Sequence, residues 1–500
     1  MTEHVDVLIV GAGLSGIGAG YHLQHRCPSE SYAILESRAA IGGTWDLFRY
    51  PGVRSDSDMH TLGYSFRPWT AAKSIADGPA IRDYVVDTAK IYGIDRHIRF
   101  DHKVRNAAWS TVDACWTVTA ETGGAEVQFT CGFLFMCSGY YSYDAGYTPD
   151  FPGTAGYQGR LIHPQQWRDD IDYAGKQVVV IGSGATAVTI VPEMAKTAAH
   201  VTMLQRSPSY VVARPEEDAL ANRLRRWLPA KLAYGLTRWK NVLLGMYFFN
   251  KCRSDPATVK NLLLKGVHEA LGPDYDVATH FTPRYNPWDQ RLCLVPNGDL
   301  FAAIKSGAAS VVTDHIERFT ETGLQLRSGQ MLDADIVVSA TGLDLVVLGG
   351  LQLSIDGEPV ELAKALTYKG MMYQDVPNLA FSFGYTNASW TLKADLTCEY
   401  VCRLLNRMKR LGAHQMTPRL TDASIVAEPW LDFSSGYVQR SLAKFPKQGS
   451  KAPWKLHQNY ARDLVALRYG KIDDGAMTFT KATSSTAANP NMKQREPVEG

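Results

Sequence analysis

Two strand-turn-helix units with glycine-rich turns constrain this chain more than anything else in it. Residues 5–10, VDVLIV, form a short apolar, β-branched run that stops at Gly11-Ala12-Gly13-Leu14-Ser15-Gly16 and passes into a helical pattern ending near Arg26. Gly11 permits the turn, Gly13 lets the backbone approach a pyrophosphate, and Gly16 lets helix and strand pack closely. The helix N-terminus, at Ser15, offers free N–H groups and a positive dipole end. A second strand, SYAILE, ends at Glu36, 20 residues after Gly16, where a carboxylate can accept hydrogen bonds from ribose hydroxyls. The pattern returns at residues 174–188, AGKQVVVIGSGATAV, whose turn is Gly182-Ser183-Gly184-Ala185-Thr186-Ala187. Here the second strand closes on Gln205-Arg206-Ser207, with no acid. An acid would repel a 2′-phosphate, whereas a guanidinium can clamp it.

Two such folds in one chain, one with a ribose acid and one with an arginine, imply FAD plus NADPH. The fold class is therefore α/β, with two dinucleotide-binding (Rossmann-like) domains. Length allows this, since 500 residues hold about three domains. Lys plus Arg number 52 against 50 Asp plus Glu, so no global charge imbalance recruits nucleic acid. The eight cysteines are dispersed, with no C-x-x-C pair and no zinc-like cluster. They read as reduced, buried thiols of a cytoplasmic protein, and no metal site is expected. No basic and apolar leader precedes the first strand, and no apolar run reaches the length of a membrane span.

The remaining segments divide the chain. Residues 1–146 read as the first part of the FAD domain, 147–171 as a linker and 172–212 as the first part of the NADPH domain. Residues 213–284 read as a helical insertion, 285–345 as the second part of the NADPH domain, 346–478 as the second part of the FAD domain, and 479–500 as a disordered tail. Within the first part, IGGTWDLFRYPGVRSDSDMHTLGYSF reads as an extended loop placed to run along a long cofactor. Residues 98–137 alternate as four short strands, IRFDHKV, NAAWSTV, CWTVTAE and EVQFTCGFLFMCSG. Farther on, VVTDHIERF and LQLRSG read as hairpin strands. The insertion is basic and partly amphipathic. It reads as a helical subdomain over the cleft with Arg and Lys facing water, the alternative reading being contact with an anionic membrane surface.

Several motifs together carry a family resemblance. Gly42-Gly43-Thr44-Trp45, then Arg49-Tyr50-Pro51-Gly52 and Asp56, resembles the second FAD segment of class B flavoprotein monooxygenases. The linker pattern Tyr157-x-Gly159-x-x-x-His163-x-x-x-Trp167 resembles the fingerprint of the Baeyer-Villiger monooxygenases within that class, with Tyr157 where Phe is usual. The resemblance spans about residues 5–470 and implies the remaining roles. Thr44, Trp45, the backbone near Asp46 and Leu47, and the Arg54-Ser55-Asp56 corner would lie against FAD or the nicotinamide. Backbone at Val104 would meet the adenine, and His163 with Trp167 would couple domain motion. Arg291 would stabilise negative charge on the reacting oxygen, with Asp56 holding it in place. The implied activity inserts one oxygen atom of O2 next to a ketone carbonyl, with sulfide oxidation beside it.

Other readings remain open at this point. The chain could oxygenate nitrogen and sulfur without attacking ketones, or serve as a non-catalytic nucleotide sensor. A disulfide reductase would need a cysteine pair beside the flavin. The nearest pair, Cys398 and Cys402, falls on a helix away from either glycine turn.

Overall fold

A computed structural model describes residues 2–431 and 433–481. The chain opens with β1 (Glu3–Val10), α1 (Leu14–Arg26) and β2 (Tyr32–Leu35). The long loop that follows carries two single turns, α2 (Thr44–Leu47) and α3 (Met59–Leu62), before α4 (Gly78–Ile91). After β3 (Ile98–Arg99), the strands β4 (Lys103–Ser110), β5 (Cys115–Thr122) and β6 (Ala125–Met136) make an antiparallel ribbon. Four strands lie over 98–137, as expected, but one boundary moves: KV leaves IRFDHKV and joins NAAWS in β4, with a bulge between Val104 and Asn106 in the pairing with β5.

A second set of elements follows. These are β7 (Arg160–Ile162), β8 (Gln177–Ile181), α5 (Ala185–Met194), β9 (His200–Gln205) and β10 (Val211–Arg214). The insertion supplies α6 (Ala219–Trp227), α7 (Ala230–Ser254), α8 (Pro256–Leu271) and α9 (Val277–Phe281). The chain then resumes with β11 (Cys293–Pro296), α10 (Asp299–Lys305) and β12 (Ala309–Thr313). A three-stranded antiparallel flap, β13 (Ile316–Phe319), β14 (Gly323–Leu326) and β15 (Met331–Asp333), precedes β16 (Ile336–Ser339). Last come β17 (Gln352–Ile355), β18 (Glu358–Pro359), β19 (Thr367–Tyr368), β20 (Met372–Tyr373), β21 (Leu379–Phe381) and α11 (Trp390–Leu411).

These elements build two main sheets. The first runs β18-β17-β4-β5-β6-β1-β2-β3, with β21 pairing beside the end of β6. Its parallel heart is β3-β2-β1-β6-β21, and β1 and β2 are buried on both faces there, as all-parallel strands require. The second sheet is parallel throughout, β12-β9-β8-β16-β7. Three expectations change. The segment expected as linker gives β7 to the edge of the second sheet. VVTDHIERF splits between that sheet (β12) and the flap (β13), so it is not one hairpin strand. The tail expected from 479 begins inside a strand, Met477–Thr480, which pairs antiparallel with Gln415–Pro418, and residues 482–500 lie outside the described residues.

Candidate active site

Both glycine turns press their first residue against a neighbouring strand end. Gly11 has φ of 105° and Gly182 of 137°, and a Cβ would stand 2.6 Å from the Cys137 carbonyl oxygen in one and 2.5 Å from that of Ala340 in the other. A side chain is excluded at each by both conformation and space. Gly16 is tighter still, with a Cβ only 1.8 Å from the Gly11 oxygen. Five helices, α3, α4, α6, α8 and α9, start on an aspartate whose carboxylate accepts from a first-turn N–H. Helices α1 and α5 start on Gly13 and Gly184 without a side-chain cap, which leaves their first-turn N–H groups for an anion.

The first turn opens into a cavity of about 510 Å³. Gly11, Gly13, Ser15, Glu36, Thr44, Trp45, Arg54, Ser55, Asp56, Val104 and Arg291 all line it. Gly13 faces Gly43, its Cβ position 3.4 Å from the Gly43 Cα, so the two glycine-rich segments form one narrow cradle. Glu36 is buried and accepts from the Ala12 N–H at 2.7 Å and the Arg38 N–H at 2.9 Å. Burial raises its carboxyl pKa, and those two N–H groups pull it back. Asp46 and Leu47 do not belong to this lining. The Asp46 carboxylate is buried and turned to Arg38, Nη2 to Oδ2 at 2.5 Å, while Leu47 packs into the core beneath the ribbon. Gly16, locked against the turn, lies behind the cavity wall.

A second cavity, about 870 Å³, lies between the insertion and the loops around Asn387 and Tyr460. Asp56, Ser57, Arg291, Leu294 and Ala388 line both cavities and form their common wall. On that wall Arg291 donates from Nη1 to Asp56 Oδ2 at 2.7 Å across 235 residues of sequence. The carboxylate raises the guanidinium pKa further above its ordinary value against the opposing effect of burial, so the cation is fixed. Arg54 lines the smaller cavity but spends its guanidinium on Asp299, at the start of α10, at 2.5 and 3.3 Å. It ties the loop after α2 to helix α10, and Gly52, whose Cβ position is 3.1 Å from the Thr189 oxygen, ties it to α5.

The second turn faces the surface. Gly184 and Ala185 are exposed, a Cβ on Gly184 would meet nothing within 4 Å, and of this turn only Ala185 reaches the smaller cavity. Ser183 Oγ donates to the Ser207 oxygen at 3.0 Å, joining the turn to the end of β9. Ala187 is fully buried and Thr186 partly so. Arg206 is exposed beside them, without an acidic partner among the described residues.

The fingerprint residues line neither cavity. Tyr157 donates its hydroxyl to the Ala334 oxygen at 2.9 Å, and Gly159 is required because a Cβ would sit 2.2 Å from that hydroxyl. His163 Nδ1 accepts from the Gln165 N–H and its Nε2 lies 3.2 Å from the Gly342 oxygen, so Nε2 carries the proton. Burial lowers the imidazole pKa and keeps the ring neutral. Trp167 packs at the edge of the second core against Tyr173. Tyr157, Gly159 and His163 join β7 to the strand β16 and to the Ala340-Thr341-Gly342 turn after it.

Sequence reasoning left Tyr140 and Tyr141 without a role. Tyr140 lines the smaller cavity and stacks on Trp390 at 5.3 Å, while Trp390 donates to Ser15 Oγ at 2.8 Å. Tyr141 donates to Thr44 Oγ1 at 2.5 Å. Their signal was the pair of aromatics directly after β6, where a parallel strand delivers side chains to a cofactor crevice. Cys398 and Cys402 are buried on α11 with thiol pKa values raised, so the described residues place no redox pair at either cavity.

A flavin-binding monooxygenase-like family profile matches residues 74–241, and an NAD(P)-binding Rossmann-like domain profile matches residues 9–77. FAD-containing monooxygenase EthA of Mycobacterium tuberculosis (strain H37Rv) is 56% identical over 482 residues, 96% of this chain and 99% of that protein. Putative FAD-containing monooxygenase MymA of the same organism is 50% identical over 495 residues, 98% of this chain and 100% of that one. The fold is shared with a solved oxidised steroid monooxygenase bound to NADP, at a TM-score of 0.75 and 23% identity, covering 96% of this chain and 100% of that one. With this identity held along nearly its whole length, the chain belongs to the class B flavoprotein monooxygenases.

Proposed function

We propose that this flavoprotein monooxygenase is of the Baeyer-Villiger type and converts a ketone to an ester or lactone, and that it oxidises sulfides as well. The observation that carries the reading is the Arg291–Asp56 pair on the wall common to the two cavities. One cavity is floored by the first glycine turn, and the other is walled by the insertion. A reaction joining cofactor to substrate takes place at such a wall, and a fixed cation is already there.

FAD and NADPH are its cofactors, and the residues fit them. The uncapped start of α1, the Gly13–Gly43 cradle and Glu36 would hold the pyrophosphate and ribose of FAD. Thr44, Trp45, Ser55 and the backbone at Val104 would line its length. The open turn 182–187 would hold the NADPH pyrophosphate, and Arg206 with Ser207 its 2′-phosphate. Bound together, the cofactors supply hydride transfer and oxygen activation. In the balance, ketone, O2, NADPH and a proton give ester, NADP⁺ and water.

The chain's own contribution is electrostatic and positional. Arg291 offers preorganised positive charge where negative charge develops on oxygen, an effect whose removal typically costs about 10²-fold or more in rate. Asp56 fixes the direction of that guanidinium. The larger cavity receives the organic substrate and sets its orientation. The test is product analysis: FAD-loaded protein, NADPH and oxygen are incubated with linear, cyclic and aryl ketones and with a sulfide, and products are identified by mass. Esters from at least one ketone are expected. Sulfoxide without any ester would assign the enzyme to heteroatom oxygenation instead.

A further inference from the structure

Helix α7 turns one side to the fold and a second, apolar side largely to solvent, where Trp239 still reaches the Tyr460 ring at 5.8 Å. Its inner side is fastened largely by polar contacts. Arg238 donates to the carbonyls of His60 at 2.8 Å and Gly63 at 2.7 Å, Tyr234 donates to the Tyr64 oxygen at 3.0 Å, and Asn241 donates to Asp58 at 2.9 Å. The outer side carries Leu232, Leu236, Trp239, Leu243 and Tyr247, each between 44% and 68% exposed. Their spacing of four, three, four and four residues sets them on one stripe, about 22 Å long at the helical rise. Trp227, at the end of α6 and three residues before α7 begins, is 81% exposed. A continuous apolar patch of this kind marks an interaction surface.

Charge indicates what covers it. From Ala219 to Ser254 the sequence has eight Lys and Arg and no Asp or Glu. Five of the cations are engaged: Arg225 with the Thr70 and Ala71 carbonyls, Arg238 as above, Lys240 with Asp218, Lys251 with Asp255 and Arg253 with Asp289. Arg223, Arg226 and Lys231 are exposed with no acidic partner among the described residues, around the corner that holds Trp227. A second copy docking on its own equivalent face would bring these cations against one another. An anionic bilayer meets both features at once, apolar side chains entering the acyl boundary and cations lying among the headgroups.

The larger cavity reaches the stripe at Tyr247. Leu220, Leu244 and Tyr247 line it and are also among the exposed apolar residues of α6 and α7. We propose that the outer face of α6 and α7 docks the enzyme on an anionic lipid bilayer and sets the mouth of the 870 Å³ cavity at the membrane surface, so that lipid-dissolved substrate enters without crossing water. The docking stands on its own residues, whereas the entry route rests on the reading that this cavity takes the ketone.

Flotation of the full-length, FAD-loaded protein with vesicles tests the docking. Binding to vesicles of equal parts phosphatidylcholine and phosphatidylglycerol is expected, with weak binding to phosphatidylcholine alone. The triple variant R223Q/R226Q/K231Q should bind the anionic vesicles about a hundredfold more weakly, at roughly fivefold per cation. The variant L232S/L236S/L243S should fail to float while keeping its thermal unfolding and its turnover of a short, water-soluble ketone. Wild-type protein that stays in solution with anionic vesicles overturns the proposal, as does an oligomer that the serine variant dissolves, since that would make a second copy the occupant. For the entry route, a long-chain ketone held in vesicles should be turned over by wild type and lost in the serine variant, and equal turnover by both overturns it. Absence of ester from the water-soluble ketone with vesicle binding intact would instead count against the ketone reading alone.

Discussion

The two glycine turns make a paired prediction because equivalent-looking residues meet different surroundings. Gly16→Ala would put a methyl 1.8 Å from the Gly11 carbonyl oxygen, well over an ångström short of any real contact. Neither side can yield easily, since one is helix backbone and the other is the turn. The penalty therefore belongs at the upper end of the overpacking range, about 3 kcal/mol. Moving α1 also pulls the N–H groups of its first turn away from the cavity, so FAD affinity falls with stability. Gly184→Ala is the contrast. Gly184 has φ of −82° and ψ of −175°, which any residue adopts, and a Cβ there meets nothing within 4 Å. Stability should stay within about 0.5 kcal/mol of wild type. The methyl would nonetheless stand where a pyrophosphate must approach, and we expect KM for NADPH to rise about tenfold, or about 1.4 kcal/mol, with FAD binding unchanged. Thermal unfolding, flavin titration and NADPH kinetics on both variants decide the matter. An unchanged KM in Gly184→Ala, or wild-type stability in Gly16→Ala, would refute the reasoning for that turn.

Other perturbations separate the remaining roles. Arg206→Ala should raise KM for NADPH far more than KM for NADH, and equal effects would show that Arg206 does not read the 2′-phosphate. Asp56→Asn removes a charge from a half-exposed pair, so it should cost under about 1 kcal/mol of stability. Because Arg291 loses its fixed direction, kcat for product should fall, and an unchanged kcat would remove Asp56 from the machinery. Burial lowers the pKa values of His60, His163 and His280 below 6.5. On acidification the unfolded chain takes up these protons before the folded one does, so their contribution is full above pH 6.5 and is lost as pH falls through the lowered values. Thermal unfolding between neutral and mildly acid pH should show that loss, reduced in His163→Gln, and an identical slope in both proteins would contradict the assignment.

The sequence made the local parts of the site legible and left the long-range parts dark. β1, the first turn, α1 and Glu36 are contiguous, and each residue type has one physical reason to stand where it does. Ladder positions such as β17 beside β4 or β21 beside β6 carry no local signal, because pairing partners lie hundreds of residues apart. The Arg291–Asp56 contact was reached through family resemblance alone. The resemblance named only the backbone near Asp46 and Leu47, and the side chains there turn elsewhere, the Asp46 carboxylate being taken by the half-buried Arg38. The apolar stripe on the outer face of α7 was not legible either. Arg223, Arg226 and Lys231 do face water, as composition suggested, but Leu232, Leu236 and Leu243 are exposed beside them while Arg238 and Tyr234 turn inward to backbone carbonyls.

The central claim is that Arg291, on the wall between the two cavities, directs one atom of dioxygen next to a ketone carbonyl. The most direct measurement is the mass of the product formed from a ketone under isotopically labelled dioxygen, with wild type and Arg291→Ala compared in their FAD-loaded forms. Wild type should give an ester carrying one labelled oxygen, while Arg291→Ala should retain FAD and oxidise NADPH without forming ester. Ester of normal yield from Arg291→Ala, or no labelled ester from wild type with any ketone, would contradict the account.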